Sequence, residues 1–278
     1  MMRINNPMEI FKHLPHTNCK KCNEKTCLAF AVEVFKKRKK LTRCPYVKDD
    51  IILRFCGDIA GGDAIYVPNT IDEDMAEAVD RLKGKIAQID LEAAARRLGA
   101  SFSQNRLSIR VFGKPFSVDA DGNISTQLHI NPWIVFPALN YILNAEGRAF
   151  SGKWAPFREL SGGWDRYPIF QKRVEIPMKR IVDADPSLFA DILGIFLGKD
   201  AQHIVEADIS MILHPLPKVP LMICYWLPEE GIESGLSLFF DAHAEKNLDL
   251  DSLYTLTAGI VNMFEKVAAR NGVGAITN

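Results

Sequence analysis

Thr17-Asn18-Cys19-Lys20-Lys21-Cys22-Asn23-Glu24-Lys25-Thr26-Cys27, completed by Arg43-Cys44-Pro45-Tyr46, is the stretch around which the chain is organised. Its cysteines are spaced C-x2-C-x4-C-x16-C. Four thiolates so gathered can hold an iron–sulfur cluster or a zinc ion. Cys19 and Cys22 make a tight loop whose backbone N–H groups can point at sulfur. Cys27 stands where a helix should begin: Thr26 is an N-cap, and Leu28, Ala31, Val32 and Phe35 recur at helical spacing. A helix N-terminus offers free N–H donors and partial positive charge, which favour an anionic cluster. Lys36 to Lys40 suit its negative end, and Pro45 echoes the Cys-Pro close of bacterial cluster motifs.

Zinc stays open beside the cluster, although structural zinc sites usually present two short cysteine pairs and this chain has one. Unliganded thiols are the third alternative. The basic run reads either as a solvated helix face or as a docking surface for an acidic redox partner.

The same residues resemble a known family. Leu14-Pro15 to Thr17, the four cysteines, Thr26-Cys27-Leu28-Ala29-Phe30-Ala31 and Cys44-Pro45-Tyr46 are similar to the small cluster domain of the corrinoid iron–sulfur proteins that work with acetyl-CoA synthase and decarbonylase in anaerobes. The resemblance covers roughly residues 8–50. It implies a [4Fe–4S] cluster on Cys19, Cys22, Cys27 and Cys44. Where that family usually has glycines beside the first two cysteines, this chain has Lys20 and Asn23.

The remainder bounds the function more loosely. A chain of 278 residues, 47% hydrophobic and 24% charged, is ordinary for a globular protein of one or two domains. Zero formal net charge gives no support to nucleic-acid binding. No apolar run reaches the roughly 18 residues of a membrane span, and the N-terminus lacks a signal-peptide core. Six cysteines, four in one motif, fit a reducing cytoplasm; Cys56 and Cys224 are left over, Cys224 as a buried hydrophobe.

The expected fold class is α+β: a small helical iron–sulfur domain (1–60), a helical connector (61–87) and a larger mixed domain with a small antiparallel sheet (88–278). Met8, Ile10, Phe11 and Leu14 give a short amphipathic helix over the cysteine loop. Helices are expected at Asp72–Ile89, Leu91–Leu98, Pro132–Asn144, Phe170–Met178, Asp185–Phe196 and Ser252–Ala269. Strands are expected at Arg106–Phe112, Pro115–Val118, Ala207–Leu213, Leu221–Leu227 and Leu236–Phe240. Residues 150–166 read as a loop. Ser151 to Trp154, Phe157 to Leu160, Gly162-Gly163, Pro217 to Pro220 and Leu238 to Asp241 resemble an uncharacterised domain of unknown function that follows such cluster domains in anaerobes, over roughly residues 88–268.

Other motifs are incomplete. Gly147 to Lys153 has the Gly-x4-Gly-Lys half of a phosphate loop, but Trp154 stands where Ser or Thr should reach magnesium. His203 with Glu206, and Asp241 with His243, offer two metal ligands each, too few for a second site. No hydrolase or dinucleotide signature occurs. The loop of Trp154, Phe157, Arg158, Gly162, Gly163 and Trp164, with His129 before the buried helix, is the candidate pocket for a large planar cofactor.

These readings favour a binding or electron-transfer protein over an enzyme, a redox accessory to a partner protein or to a corrinoid-dependent enzyme. The alternatives are a cobalamin-binding protein whose cluster serves cobalt reduction, and a zinc-stabilised interaction module. The lower-ligand signature Asp-x-His-x-x-Gly of many corrinoid proteins is absent.

Overall fold

A computed structural model describes residues 6–36, 39–56, 71–128 and 131–273, the side chains of residues 53, 54, 56 and 71–74 excepted. The chain divides into two compact units, residues 1–74 and 75–278. His129 lies outside the described residues.

The first unit holds α1 (Pro7–Phe11), α2 (Cys27–Phe35), a 3-10 turn (Leu41–Arg43) and α3 (Asp49–Cys56). Its small core is Ile10, Leu14, Phe30, Ala31, Val34, Leu41, Val47, Ile52 and Phe55, with Cys27 and Cys44 buried among them. The α1 helix is shorter than its apolar pattern suggests. Asn6 caps it by accepting from Met8 N, Ile10 and Leu14 are buried, and Met8 is turned out to solvent at 47% exposure.

The second unit is α+β. It opens with α4 (Ile71–Ile86), whose Val79, Leu82 and Ile86 enter the large core, and α5 (Leu91–Leu98). Asp90 caps α5 at its start, and Gly99, at φ +67°, closes it. Two antiparallel sheets replace the one expected from the strand patterns. The first, in order β1-β2-β3-β4, comprises β1 (Ser101–Ser103), β2 (Arg106–Val111), β3 (Lys114–Asp119) and β4 (Ile124–Thr126). Val111 pairs with Lys114, so Phe112-Gly113 is the two-residue turn, both residues having positive φ.

The second sheet has the order β5-β9-β8-β7-β6: β5 (Trp154–Pro156), β6 (Lys199–Asp200), β7 (Ile209–Leu216), β8 (Val219–Trp226) and β9 (Gly235–Asp241). The prolines between β7 and β8 do not end the pairing as their number suggests. A register shift between Leu213 and Leu216 takes up Pro215, which has no N–H to give, and the ladder resumes at Leu216–Val219. Along β8, Leu221, Ile223 and Tyr225 join the large core, while Met222 and Cys224 lie with Trp154, Trp226 and Phe239 in a second cluster. Burial on both faces explains the nearly unbroken apolar run of that strand.

Helices α6 (Pro132–Asn144), α7 (Gly163–Phe170), α8 (Ile176–Ala184), α9 (Pro186–Ile195), the short α10 (Ala244–Asn247) and α11 (Leu250–Arg270) complete the unit. The α11 helix packs on α6, α8 and α9. Asp249 caps it, and buried Asn140 of α6 donates to Ser252 Oγ at 2.6 Å and to the Asp249 carboxylate. Residues 163–166, expected in a loop, begin α7, which runs through a π-helical turn (Gln171–Glu175) into α8. Gly163, Pro168 and Pro177 fall within these helices. The structure absorbs them, because Gly162 starts the helix from a left-handed conformation and the wide π turn precedes the proline that cannot donate. Tyr167 donates across that turn to Glu175 at 2.9 Å. No described helix is long and apolar enough to cross a membrane.

Candidate metal centre

Cys27 is the first residue of α2, and the Thr26 hydroxyl accepts from Ala29 N at 3.0 Å. A second N-terminal donor of the helix, Cys27 N, is taken by Asn18 Oδ1 at 2.8 Å. Both contacts fix the cysteine loop to the helix entrance. From the other side, Lys39 Nζ reaches the carbonyls of Cys22 (3.3 Å) and Asn23 (3.1 Å) and the Glu24 carboxylate (2.5 Å). Lys39 therefore crosslinks the loop to the segment leading to Cys44.

Between His16 and Asn23 the backbone enters the left-handed region four times: His16 (φ +58°), Asn18 (+48°), Lys20 (+61°) and Asn23 (+58°). Alternation into that region turns successive N–H groups toward one concave side, which suits an anion. Lys20 and Asn23 are the two positions where the resembled family has glycine. Asparagine tolerates left-handed backbone; lysine occupies it at a cost.

The thiols differ in setting. Cys27 and Cys44 are each 6% exposed, Cys22 is half-buried and Cys19 is exposed. Burial pushes the Cys44 thiol up, against N–H bonds from Tyr46 and Val47, and the neighbouring Cys22 and Cys27 push the same way. The Cys19 thiol is held below its ordinary value, first by the Lys21 N–H, against desolvation, with help from Thr17. Backbone donors thus converge on two of the four sulfurs. Among the described residues no group of three or more His, Cys, Asp or Glu side chains is arranged to hold a metal ion. Electrostatics ties Cys44 to Cys22 and Cys27, while Cys19 stands at the rim. Four free thiols, Cys27 at a capped helix entrance and Cys19 and Cys44 with backbone N–H groups at the sulfur, are by their chemistry the donor set of an iron–sulfur group.

The rim is basic. Lys21 Nζ donates to Tyr46 Oη at 2.5 Å and lies over its ring at 5.0 Å. Lys20, Lys25 and Arg43 are exposed, with no carboxylate partner among the described residues.

The candidate cofactor residues of the large unit are not brought together. Phe157 is fully buried, its ring stacked on Phe170 at 4.0 Å. Trp154 belongs to the second cluster of the five-stranded sheet, its indole N–H buried without a partner. Arg158 lies over the Tyr167 ring, 5.7 Å from its centre. Gly162 is the helix cap, and Gly163 is pressed so close to Phe157 O that a Cβ would sit 2.0 Å from it. Trp164 is 73% exposed. Aromatic density here marks core on one side and open surface on the other.

The half phosphate loop is occupied from within. The Asp241 carboxylate, 1% exposed, accepts from Ser151 N (2.8 Å), Ser151 Oγ (2.9 Å), Gly152 N (2.8 Å) and His243 N (2.9 Å). His243 Nδ1 lies 2.9 Å from Ala149 O. His203 and Glu206 lie outside the assigned helices and strands. These four residues hold loops or face solvent.

Comparison with known proteins divides the chain in the same way. Residues 14–46 match the family described as "Putative Fe-S cluster", and residues 90–263 match the one described as "Domain of unknown function (DUF3786)". The chain is 50% identical over 44 residues to the acetyl-CoA decarbonylase/synthase complex subunit gamma 2 of Methanosarcina thermophila, covering 16% of this chain and 9% of that protein. It is 48% identical over 42 residues to the corrinoid/iron-sulfur protein large subunit of Moorella thermoacetica, covering 15% and 9%. The corresponding gamma subunit of Methanocaldococcus jannaschii is 47% identical over 38 residues, covering 14% and 8%. The chain thus spans about a tenth of the length of these relatives. No solved structure matches it.

Proposed function

The chain belongs to the family described as a domain of unknown function (DUF3786), and from that premise we propose that it is an electron-transfer protein whose first unit carries a [4Fe–4S] cluster on Cys19, Cys22, Cys27 and Cys44. The observation that carries the reading is Cys27 at the first position of a capped helix, with Cys44 buried beside it and backbone N–H groups turned toward Cys19 and Cys44. The match of residues 14–46 supports an iron–sulfur group there.

When bound, such a cluster supplies one-electron transfer between thiolate-held irons and a partner. The chain's own residues do the rest. Thr26 and Asn18 accept from Ala29 N and Cys27 N and so fix the helix entrance against the cysteine loop. Phe30, Val34 and Leu41 keep water from the Cys27 and Cys44 side. The exposed Cys19 rim, with Lys20, Lys25 and Arg43, faces outward as a positive surface for an acidic redox partner. Zinc at the four thiols is the competing reading. Corrinoid binding rests on the name of a relative of which 9% is covered, and the aromatic residues that would have carried it are dispersed.

Anaerobically purified chain treated with dithionite and followed by electron paramagnetic resonance tests the proposal. Reversible appearance of a one-electron signal, lost in Cys27→Ala, is the expected result. A chain silent in both redox states, or a Cys27→Ala variant with the full signal, would refute it.

A further inference from the structure

A cleft of ≈ 510 Å³ opens in the large unit beside the contact of β2 with β7. Its volume is in the range of small-molecule sites. Ala100, Pro115 and Pro217 give it apolar surface, and Ser101, Arg110 and His214 supply polar groups. No Asp or Glu lines it.

The cleft is held open by uncommon local structure. His214 and Pro215 form the irregular step between Leu213 and Leu216 where β7 shifts register, a device that re-aims a side chain. Phe112 N donates to Pro215 O at 3.2 Å and pins the β2–β3 turn to that step. Phe112 has φ +47°, a costly conformation for a bulky residue. It is kept there by burial to 4% exposure and an edge contact with Phe196, ring centres 5.3 Å apart. Gly113 has φ +71°, a conformation that strains any side chain, and a Cβ there would also displace the exposed Leu197 side chain, whose Cδ1 would lie 2.3 Å away. The turn, the strand step and the end of α9 therefore lock one another in place, and the strain is spent beside the cleft.

The geometry points to this cleft as a binding site for a small organic carboxylate with an apolar body. Arg110 uses one N–H on Gly113 O at 2.9 Å and keeps further donors in a planar fork that matches a carboxylate. Ser101 adds a hydroxyl, which in this structure donates to Ser108 O at a long 3.4 Å and would have to turn to reach a ligand. Burial lowers the proton affinity of His214, and Lys199 nearby lowers it further, so the imidazole is neutral at pH 7 and presents one donor. The lining pairs one guanidinium with apolar surface, and Lys199 lies near His214, so an anion with an apolar body fits it better than bare phosphate. The apolar body would lie on Ala100, Pro115 and Pro217. The inference does not use the cysteine unit and stands or falls separately from the electron-transfer reading.

Ligand-observed NMR on the full chain tests it, with benzoate and hexanoate as probes, benzamide as the neutral isostere and inorganic phosphate as the competing anion. Benzoate or hexanoate should bind saturably, with benzamide and phosphate weaker by about tenfold or more. Arg110→Gln should weaken carboxylate binding by about tenfold, whereas Lys266→Gln on the exposed side of α11 should not. His214→Gln and Ser101→Ala give independent readings should Arg110→Gln fail to fold by circular dichroism. Absence of saturable binding of both carboxylates would overturn the proposal. So would equal binding of benzoate and benzamide, preference for phosphate, or folded Arg110→Gln, His214→Gln and Ser101→Ala variants that bind as the wild type does.

Discussion

Lys20 sits at φ +61° between two cysteines, where glycine would be free of strain. A side chain in that region costs about 1–2 kcal/mol, while glycine loses about 0.5–1 kcal/mol more backbone entropy on folding. Lys20→Gly should therefore stabilise the cysteine unit by about 0.5–1 kcal/mol, seen as slower bleaching of the holo chain in denaturant under nitrogen. Lys20→Val, branched and unable to adopt the conformation cheaply, should bleach faster than wild type. Retaining lysine at this cost is consistent with a use for its charge at the rim. Asn23, at φ +58°, needs no such account, because asparagine visits this region readily.

At the scale of elements, α2 is the piece on which the site depends. Thr26→Ala removes the hydroxyl that accepts from Ala29 N and should destabilise the unit by about 1 kcal/mol. Thr26→Ser should restore most of that loss, as read by the denaturant midpoint of the anaerobic chain. This element was legible in the sequence because its signals are local, a capping oxygen and a cysteine at the first helical position, but its buried face was not: Leu28 is 42% exposed, while Phe30, Ala31 and Val34 are buried. Local signals also mark α5, bounded by Asp90 and Gly99, and the hairpin of β2 and β3. What was not legible is what distant partners decide. The two- and three-residue strands β1, β4, β5 and β6 are too short to show a period and exist because a neighbouring strand pairs with them. Gly162 and Gly163 read as loop, yet Gly162 caps α7, which runs through the π turn into α8. Trp154, Phe157 and Trp164 suggested a pocket by composition, yet one is sheet packing, one is core and one is surface. Arg110 and His214 lie about a hundred residues apart, so no local pattern could have joined them.

On the scale of the whole molecule, the zero net charge conceals a division. Residues 6–50 hold eleven Lys and Arg against five Asp and Glu, so the excess of basic charge lies with the cysteines. The two units have separate cores, and the matched families divide at the same place. Losing the metal should then unravel only the smaller one. In Cys27→Ala, the main thermal transition of the large unit, followed by circular dichroism, should stay within about 2 °C of wild type. A large downward shift would mean that the two cores fold as one.

The most direct test of the account is a count of metal and inorganic sulfide in chain purified without oxygen. The account predicts about four iron and about four sulfide per chain, with zinc absent. Stoichiometric zinc with no sulfide would contradict it.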